Sequence, residues 1–216
     1  MLGIHDLGLF IAAGLLLNVT PGPDMLYVIG TSTARGTRAG VMAAVGIGAG
    51  CLVHVTLAAI GLSAVLAASS WAFSAVKYAG AAYLLYIGAR MLRTSWSRSA
   101  PEPVADAIAP ALAPGGPRRV LWQGFITNVF NPKVALFFLA FLPQFIDAES
   151  PSKAWAFVLL GLVFTVNGTF VTAAVALVAG RLGRWLSQGS RSGRWIDRVV
   201  GCMFIGLGLR LALSRP

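Results

Sequence analysis

The chain has 216 residues, of which 57% are apolar and 11% charged, with mean hydropathy +0.77 and a formal charge of +10. A soluble domain of this length carries about 25% charged residues, so the composition excludes an ordinary soluble protein. The length fits one bundle of about six membrane helices and leaves no room for a separate soluble domain. The positive charge does not indicate nucleic-acid binding, because the basic residues cluster between apolar spans, as a membrane orientation signal does.

In chain order, apolar runs predict spans at 4–34, 39–66, 71–92, 120–146, 153–180 and 195–213. Two stretches, Ala39–Val76 and Ala154–Gly180, contain no Asp, Glu, Lys or Arg, and about 20 such residues cross a hydrocarbon core. The last span is the weakest, with only Val199–Leu209 free of charge. The start, "MLGIHDLGLF", lacks a basic leader and runs straight towards Pro-Gly-Pro, which argues against a cleaved signal peptide. Trp71, Trp96, Trp122, Trp155, Trp185 and Trp195 fall near span ends, where an amphipathic ring prefers to sit.

Arg35 and Arg38 follow span one; Arg93, Arg98, Arg118 and Arg119 follow span three; Arg181, Arg184, Arg191, Arg194 and Arg198 follow span five. The connections "LAASS" and "IDAESPSK" carry almost nothing basic. The positive-inside rule makes the arginine-rich loops cytoplasmic and, with six spans, both termini external. A first span re-entrant at Pro21–Pro23 would instead put the N-terminus inside. The Ala/Pro-rich stretch 94–119 reads as a cytoplasmic linker between a first three-helix repeat, 1–93, and a second, 120–216.

The two halves begin alike. "NVTPGPD" (Asn18–Asp24) interrupts the first span and "NVFNPK" (Asn128–Lys133) the fourth. With three spans per half, the copies enter from opposite sides, the inverted-repeat plan of many secondary transporters. The expected fold is an all-α integral membrane protein of six transmembrane helices, in two inverted three-helix repeats with broken first and fourth helices. His54 lies 33 residues after Pro21 and Asn167 35 after Pro132, a loose correspondence that makes both candidate pathway residues.

The breaks explain why prolines sit in a membrane. Pro21 and Pro23 have no N–H, so the carbonyls of Leu17 and Val19 lose their helical partners, and Pro132 does the same to Asn128. Unpaired carbonyls in lipid cost several kcal/mol unless something satisfies them. Beyond each break a helix restarts with free N–H groups and partial positive charge. Carbonyls suit an ammonium and helix N-termini a carboxylate, and an amino acid zwitterion carries both. Helical rise puts Asp24 about 16 Å and Lys133 about 18 Å from the nearer surface, both near mid-bilayer.

Asp24 could cap its half-helix or bind substrate or proton. Lys133, a cation at a helix N-terminus, opposes the dipole and needs an anion, either Asp24 or a substrate carboxylate. Candidate binding residues are therefore Asn18, Pro21, Gly22, Pro23, Asp24, Asn128, Asn131, Pro132 and Lys133. The asparagines could also serve as interhelical glue. Lys77 and Arg210 are expected to snorkel outwards. "AVGIGAGCL" lies mid-span with no preceding strand, so Gly46 and Gly50 read as a packing motif rather than a dinucleotide loop. Cys51 and Cys202 sit singly in apolar runs, giving no metal spacing, disulfide framework or cofactor site. No catalytic constellation supports an enzyme.

"NVTPGPDMLYVIGTSTARGTRAGVMAAVGIGAG" and "GFITNVFNPKVALFFLAFLPQFI" together resemble the signatures of the amino-acid exporter family LysE/RhtB, closer to its homoserine/threonine efflux-type branch, and the likeness runs through nearly the whole chain. Many members of that family have Asn where this chain has Asp24. The resemblance implies a multi-pass protein of the bacterial inner membrane that exports small amino acids or close derivatives by proton antiport. Its partners would be the amino acid, protons and the lipid bilayer, with no nucleic acid and with homo-oligomer formation left open. Asp24 and the carbonyls near Pro21 would hold the ammonium, and Lys133 with the second break the carboxylate. A thiol-redox carrier would need cysteines at the two breaks, and a non-transporting scaffold would not need paired polar breaks at matching depth.

Overall fold

The computed structural model describes residues 2–62, 115–147 and 149–182, with isolated helical positions between 64 and 93 and between 202 and 209. Most of the expected third and sixth spans, the 94–119 linker and the 181–194 loop lie outside the described residues, as do Lys77, Arg210, Trp71, Trp96, Trp185 and Trp195.

The described elements are helical. Helices α1 (Leu7–Val19) and α2 (Pro23–Arg35) form a pair bent by 51°. Helix α3 (Thr37–Leu57) continues through a π-helical turn, Ala58–Leu62. Helices α4 (Pro117–Val129) and α5 (Pro132–Ala140), the latter extended by a 3-10 turn at Leu142–Phe145, form a second pair bent by 48°. Helix α6 spans Lys153–Leu182. Thr37–Leu62 and Lys153–Arg181 are each long and apolar enough to cross a membrane, and each bent pair makes one further span when its two helices are taken together. These are the expected first, second, fourth and fifth spans, and the chain is a multi-pass membrane protein.

Contacts at the two ends fix the direction of each span. An antiparallel bridge joins Ile4 to Ile146, His5 N donates to Phe145 O (3.1 Å), and Asp147 N donates to Gly3 O (2.8 Å). The start of α1 is thereby tied to the far end of the second bent pair. At the opposite end, Arg35 Nη1 donates to Gly115 O at 3.1 Å, just before α4 begins. Both bent pairs therefore run the length of the bundle, antiparallel to each other. The 51° bend turns the first pair without reversing it, and by length and composition the pair is a broken span or a re-entrant loop.

Small residues bring α3 and α4 together. A Cβ on Gly50 would stand 2.6 Å from the Phe125 carbonyl oxygen, one on Gly124 would stand 2.6 Å from that of Ala43, and one on Gly46 would strike that of Leu121. The Gly46/Gly50 motif is thus a packing surface, and its partner is the first half of the broken fourth span. Close backbone approach replaces the hydrophobic drive that lipid removes. Trp122 and Trp155, near the starts of antiparallel helices α4 and α6, are 60% and 69% exposed, as rings at two interfaces would be.

The apolar core has two parts. One is aromatic, with Phe10, Phe137, Phe141, Phe145 and Phe164 among its members and ring centroids as close as 4.5 Å. The other surrounds Tyr27, Val28, Ala44 and Ile47. It is pinned by Tyr27 Oη donating to Val120 O (2.9 Å) and Ser32 Oγ donating to Ala176 O (2.6 Å).

Candidate functional site

Each break is the consequence of a short sequence. Thr20 leaves the helix with extended backbone (φ −66°, ψ 126°), and its N–H closes α1 by donating to the carbonyls of Leu16 and Leu17. Gly22, also extended, precedes Pro23, the first residue of α2. In the second break Phe130 leaves α4, and the Asn131 side chain caps α5 by accepting from Lys133 N at 3.0 Å. Helices α2 and α4, which separate the two breaks from the Arg35–Gly115 end, are 13 residues each, or about 20 Å. The breaks therefore share one depth, although α4 starts at Pro117, three residues before the span start at 120 expected from sequence.

At that depth the breaks bond to each other. Asn128 Nδ2, at the end of α4, donates to Asp24 Oδ2 in the first turn of α2 at 2.8 Å. Lys133 Nζ, in the first turn of α5, donates to the carbonyl oxygens of Leu17 (3.0 Å) and Thr20 (2.9 Å) at the end of α1. His54 Nε2 donates to Asn128 O at 3.1 Å, joining Asn131 N (2.9 Å) on a carbonyl whose usual helical partner would be Pro132. His54 thus completes the second break from outside the cavity lining.

One expectation changes here. Among the described residues no ion pair joins Lys133 to Asp24; those present link His5 with Asp6 and Asp147. The lysine ammonium goes instead to the C-terminal end of α1, where carbonyls and dipole carry partial negative charge. It thereby occupies the acceptors expected to receive a substrate ammonium. Thr20, not Val19, supplies the second acceptor.

A cavity of about 30 Å³, counted as space open to the centres of water molecules, lies where the two core clusters meet. That is room for about two waters, so a whole amino acid enters only if helices part. Asn18, Asp24, Asn128 and Lys133 all line it. Asp24 Oδ1, Asn128 Oδ1 and the Asn18 amide nitrogen are buried there without a hydrogen-bond partner, and the Asn131 amide nitrogen beside them is unpartnered too. Buried polar atoms in native proteins are nearly always satisfied, so such a set marks a place where a polar ligand fits. The acceptors suit an ammonium and the asparagine amide donor a carboxylate.

Other sequence candidates act indirectly. Pro21, Pro23 and Pro132 are exposed and shape the backbone, and Gly22 leaves room for the Lys133 side chain. Asn167 is half-buried and does not line the cavity; its neighbour Gly168 does, packed against the Asn18 amide. The residues that sequence reasoning missed are Thr165, Thr169 and Thr172, one face of α6, and Gly48 opposite them on α3. Each threonine hydroxyl donates to a carbonyl one turn back, at 2.8 Å. Their i, i+4, i+7 spacing inside an apolar span was a readable signal.

The family model for LysE type translocators matches residues 15–215. The chain belongs to this family. As a LysE type translocator it is a transporter and not an enzyme. It is 31% identical over 213 residues to an uncharacterized membrane protein of Pseudomonas aeruginosa, covering 99% of this chain and 97% of that one. It is 27% identical over 213 residues to the leucine efflux protein of Salmonella typhimurium, covering 97% and 96%. It is 29% identical over 199 residues to the threonine efflux protein of Escherichia coli K12, covering 91% and 92%. No solved structure matches the translocator.

Proposed function

We propose that this translocator exports small neutral amino acids or close derivatives across the bacterial inner membrane by proton antiport. The observation that carries the reading is the set of unpartnered polar atoms beside Lys133 in one cavity: Asp24 Oδ1 and Asn128 Oδ1 as acceptors, the Asn18 amide nitrogen as donor. A zwitterion fits it with its ammonium on Asp24 and Asn128 and its carboxylate on Lys133 and Asn18. The relatives named for leucine and threonine efflux support the substrate class. Asp24 is the cavity group that can return a proton when the amino acid leaves.

The architecture that goes with this function is six helices in two inverted repeats, 1–93 and 120–216, joined by a cytoplasmic linker at 94–119. Antiparallel bent pairs with breaks at one depth support it. Purified protein in vesicles, preloaded with a panel of labelled amino acids and given an inward proton gradient, tests the function. Gradient-accelerated efflux of threonine or leucine is expected, and no acceleration for any neutral or basic amino acid would refute the exporter reading.

A further inference from the structure

The Lys133 side chain does something a binding residue need not do. From the second break it reaches across to the first, so one ammonium ties the start of α5 to the end of α1. Two of its three N–H donors are used there, both on neutral carbonyls. A carboxylate is a stronger acceptor for an ammonium than a neutral carbonyl, because it adds the direct attraction of two opposite unit charges in a low-dielectric interior. Lys133 also lines the cavity with Asn18 and Asp24, so a carboxylate in the cavity is within its range of motion. The path is kept open at Gly22, where a Cβ would lie 3.2 Å from the lysine nitrogen.

We infer that Lys133 is a clasp released by the substrate's carboxylate. With the cavity empty, its ammonium holds the two breaks together through Leu17 and Thr20. A zwitterion seated by its ammonium on Asp24 and Asn128 presents its carboxylate to Lys133, which leaves the carbonyls and frees α5 from α1. Substrate chemistry is thereby coupled to parting of the helices that a cavity of about 30 Å³ requires. The inference rests on the amino-acid reading and adds a distinction that reading does not make: an amine with the same side chain but no carboxylate docks its ammonium on Asp24 and Asn128 without opening the clasp, and so is not taken in whole.

Leucine and leucinamide, or threonine and threoninamide, form the test, with full-length protein in vesicles. A pH of about 6.5 keeps the amide's amine charged, and protein-free vesicles correct for leakage. Wild-type protein should transport the amino acid, and the amide should compete for binding without being transported. In Lys133→Met the affinity for the amino acid should fall about tenfold or more, as loss of a charged hydrogen bond does, while affinity for the amide stays unchanged. A merely structural lysine would weaken both ligands together. Transport of the amide at the amino acid's rate, or equal losses for both ligands in the variant, overturns the clasp and leaves the exporter standing. Absence of amino-acid transport by wild type removes both. The wild-type comparison decides the matter even if the variant does not fold.

Discussion

Asn128 and Asp24, 104 residues apart in sequence, meet at 2.8 Å with the amide nitrogen donating to Oδ2, while the second carboxylate oxygen of Asp24 and the amide oxygen of Asn128 stay buried and unpartnered. One bond orients both groups, and the remaining two acceptors can take an ammonium. Asp24→Asn keeps the shape and removes the titratable charge. Proton-gradient-driven efflux is expected to fall about tenfold or more, the cost of replacing a charged hydrogen bond by a neutral one. Amino-acid exchange between equal pH values should persist with weaker affinity. Gradient response equal to wild type would leave Asp24 as no more than a helix cap.

The α3–α4 contact predicts a stability effect separate from transport. Gly50→Ala and Gly124→Ala would each drive a methyl to 2.6 Å from a carbonyl oxygen. Overpacking of this kind costs about 1–3 kcal/mol, so thermal unfolding in detergent should shift downward for both. Gly8→Ala, where nothing lies within 4 Å, should leave the midpoint unchanged or slightly higher. A Gly50→Ala protein as stable as wild type would mean that the two helices can slide apart freely.

Orientation can be tested at residues whose placement is now defined. In a background of Cys51→Ala and Cys202→Ala, His5→Cys and Glu149→Cys should label from outside intact cells, because the N-terminal segment is tied to residues 145–147. Arg38→Cys should label only after lysis, as should Asp106→Cys in the 94–119 stretch that the sequence reads as a cytoplasmic linker. Position 3 is a poor probe, since Gly3 has φ +65° and a Cβ there would lie 2.7 Å from Ser150. Labelling of positions 5 and 38 from the same side would contradict a first span that crosses fully.

Much of this geometry was legible because it is local. Proline removes an N–H wherever it stands, so Pro21, Pro23 and Pro132 announced two breaks. Helical rise put both at one depth, and charge-free runs outlined α3 and α6. Partner choice was not legible. Nothing in "NPK" says that Lys133 will take the carbonyls of Leu17 and Thr20 rather than Asp24, because that depends on how two distant breaks face each other. Asn167 was chosen over Thr165 and Thr169 for the same reason. A polar residue in an apolar span is visible in sequence, but the face it occupies is set by packing, and one residue turns a helix by about 100°.

That threonine face supports a prediction about substrate size. Thr165, Thr169 and Thr172 line the cavity with their hydroxyl protons committed to their own helix. The wall they form is therefore uncharged and short of donors, which suits a neutral side chain. Across from it, Gly48 has no room for a methyl: a Cβ there would collide with Thr169 Oγ1. In Gly48→Ala the Thr169 side chain must turn, and a cavity that now measures about 30 Å³ shrinks. If this is where the substrate side chain lies, KM should rise more for leucine than for threonine or alanine, with kcat for the smaller substrates little changed. Removing the obstructing hydroxyl in Gly48→Ala/Thr169→Ala should restore leucine transport, a coupling that a double-mutant cycle measures directly. An equal loss for large and small substrates, with no recovery in the double variant, would place the side-chain wall elsewhere in the bundle.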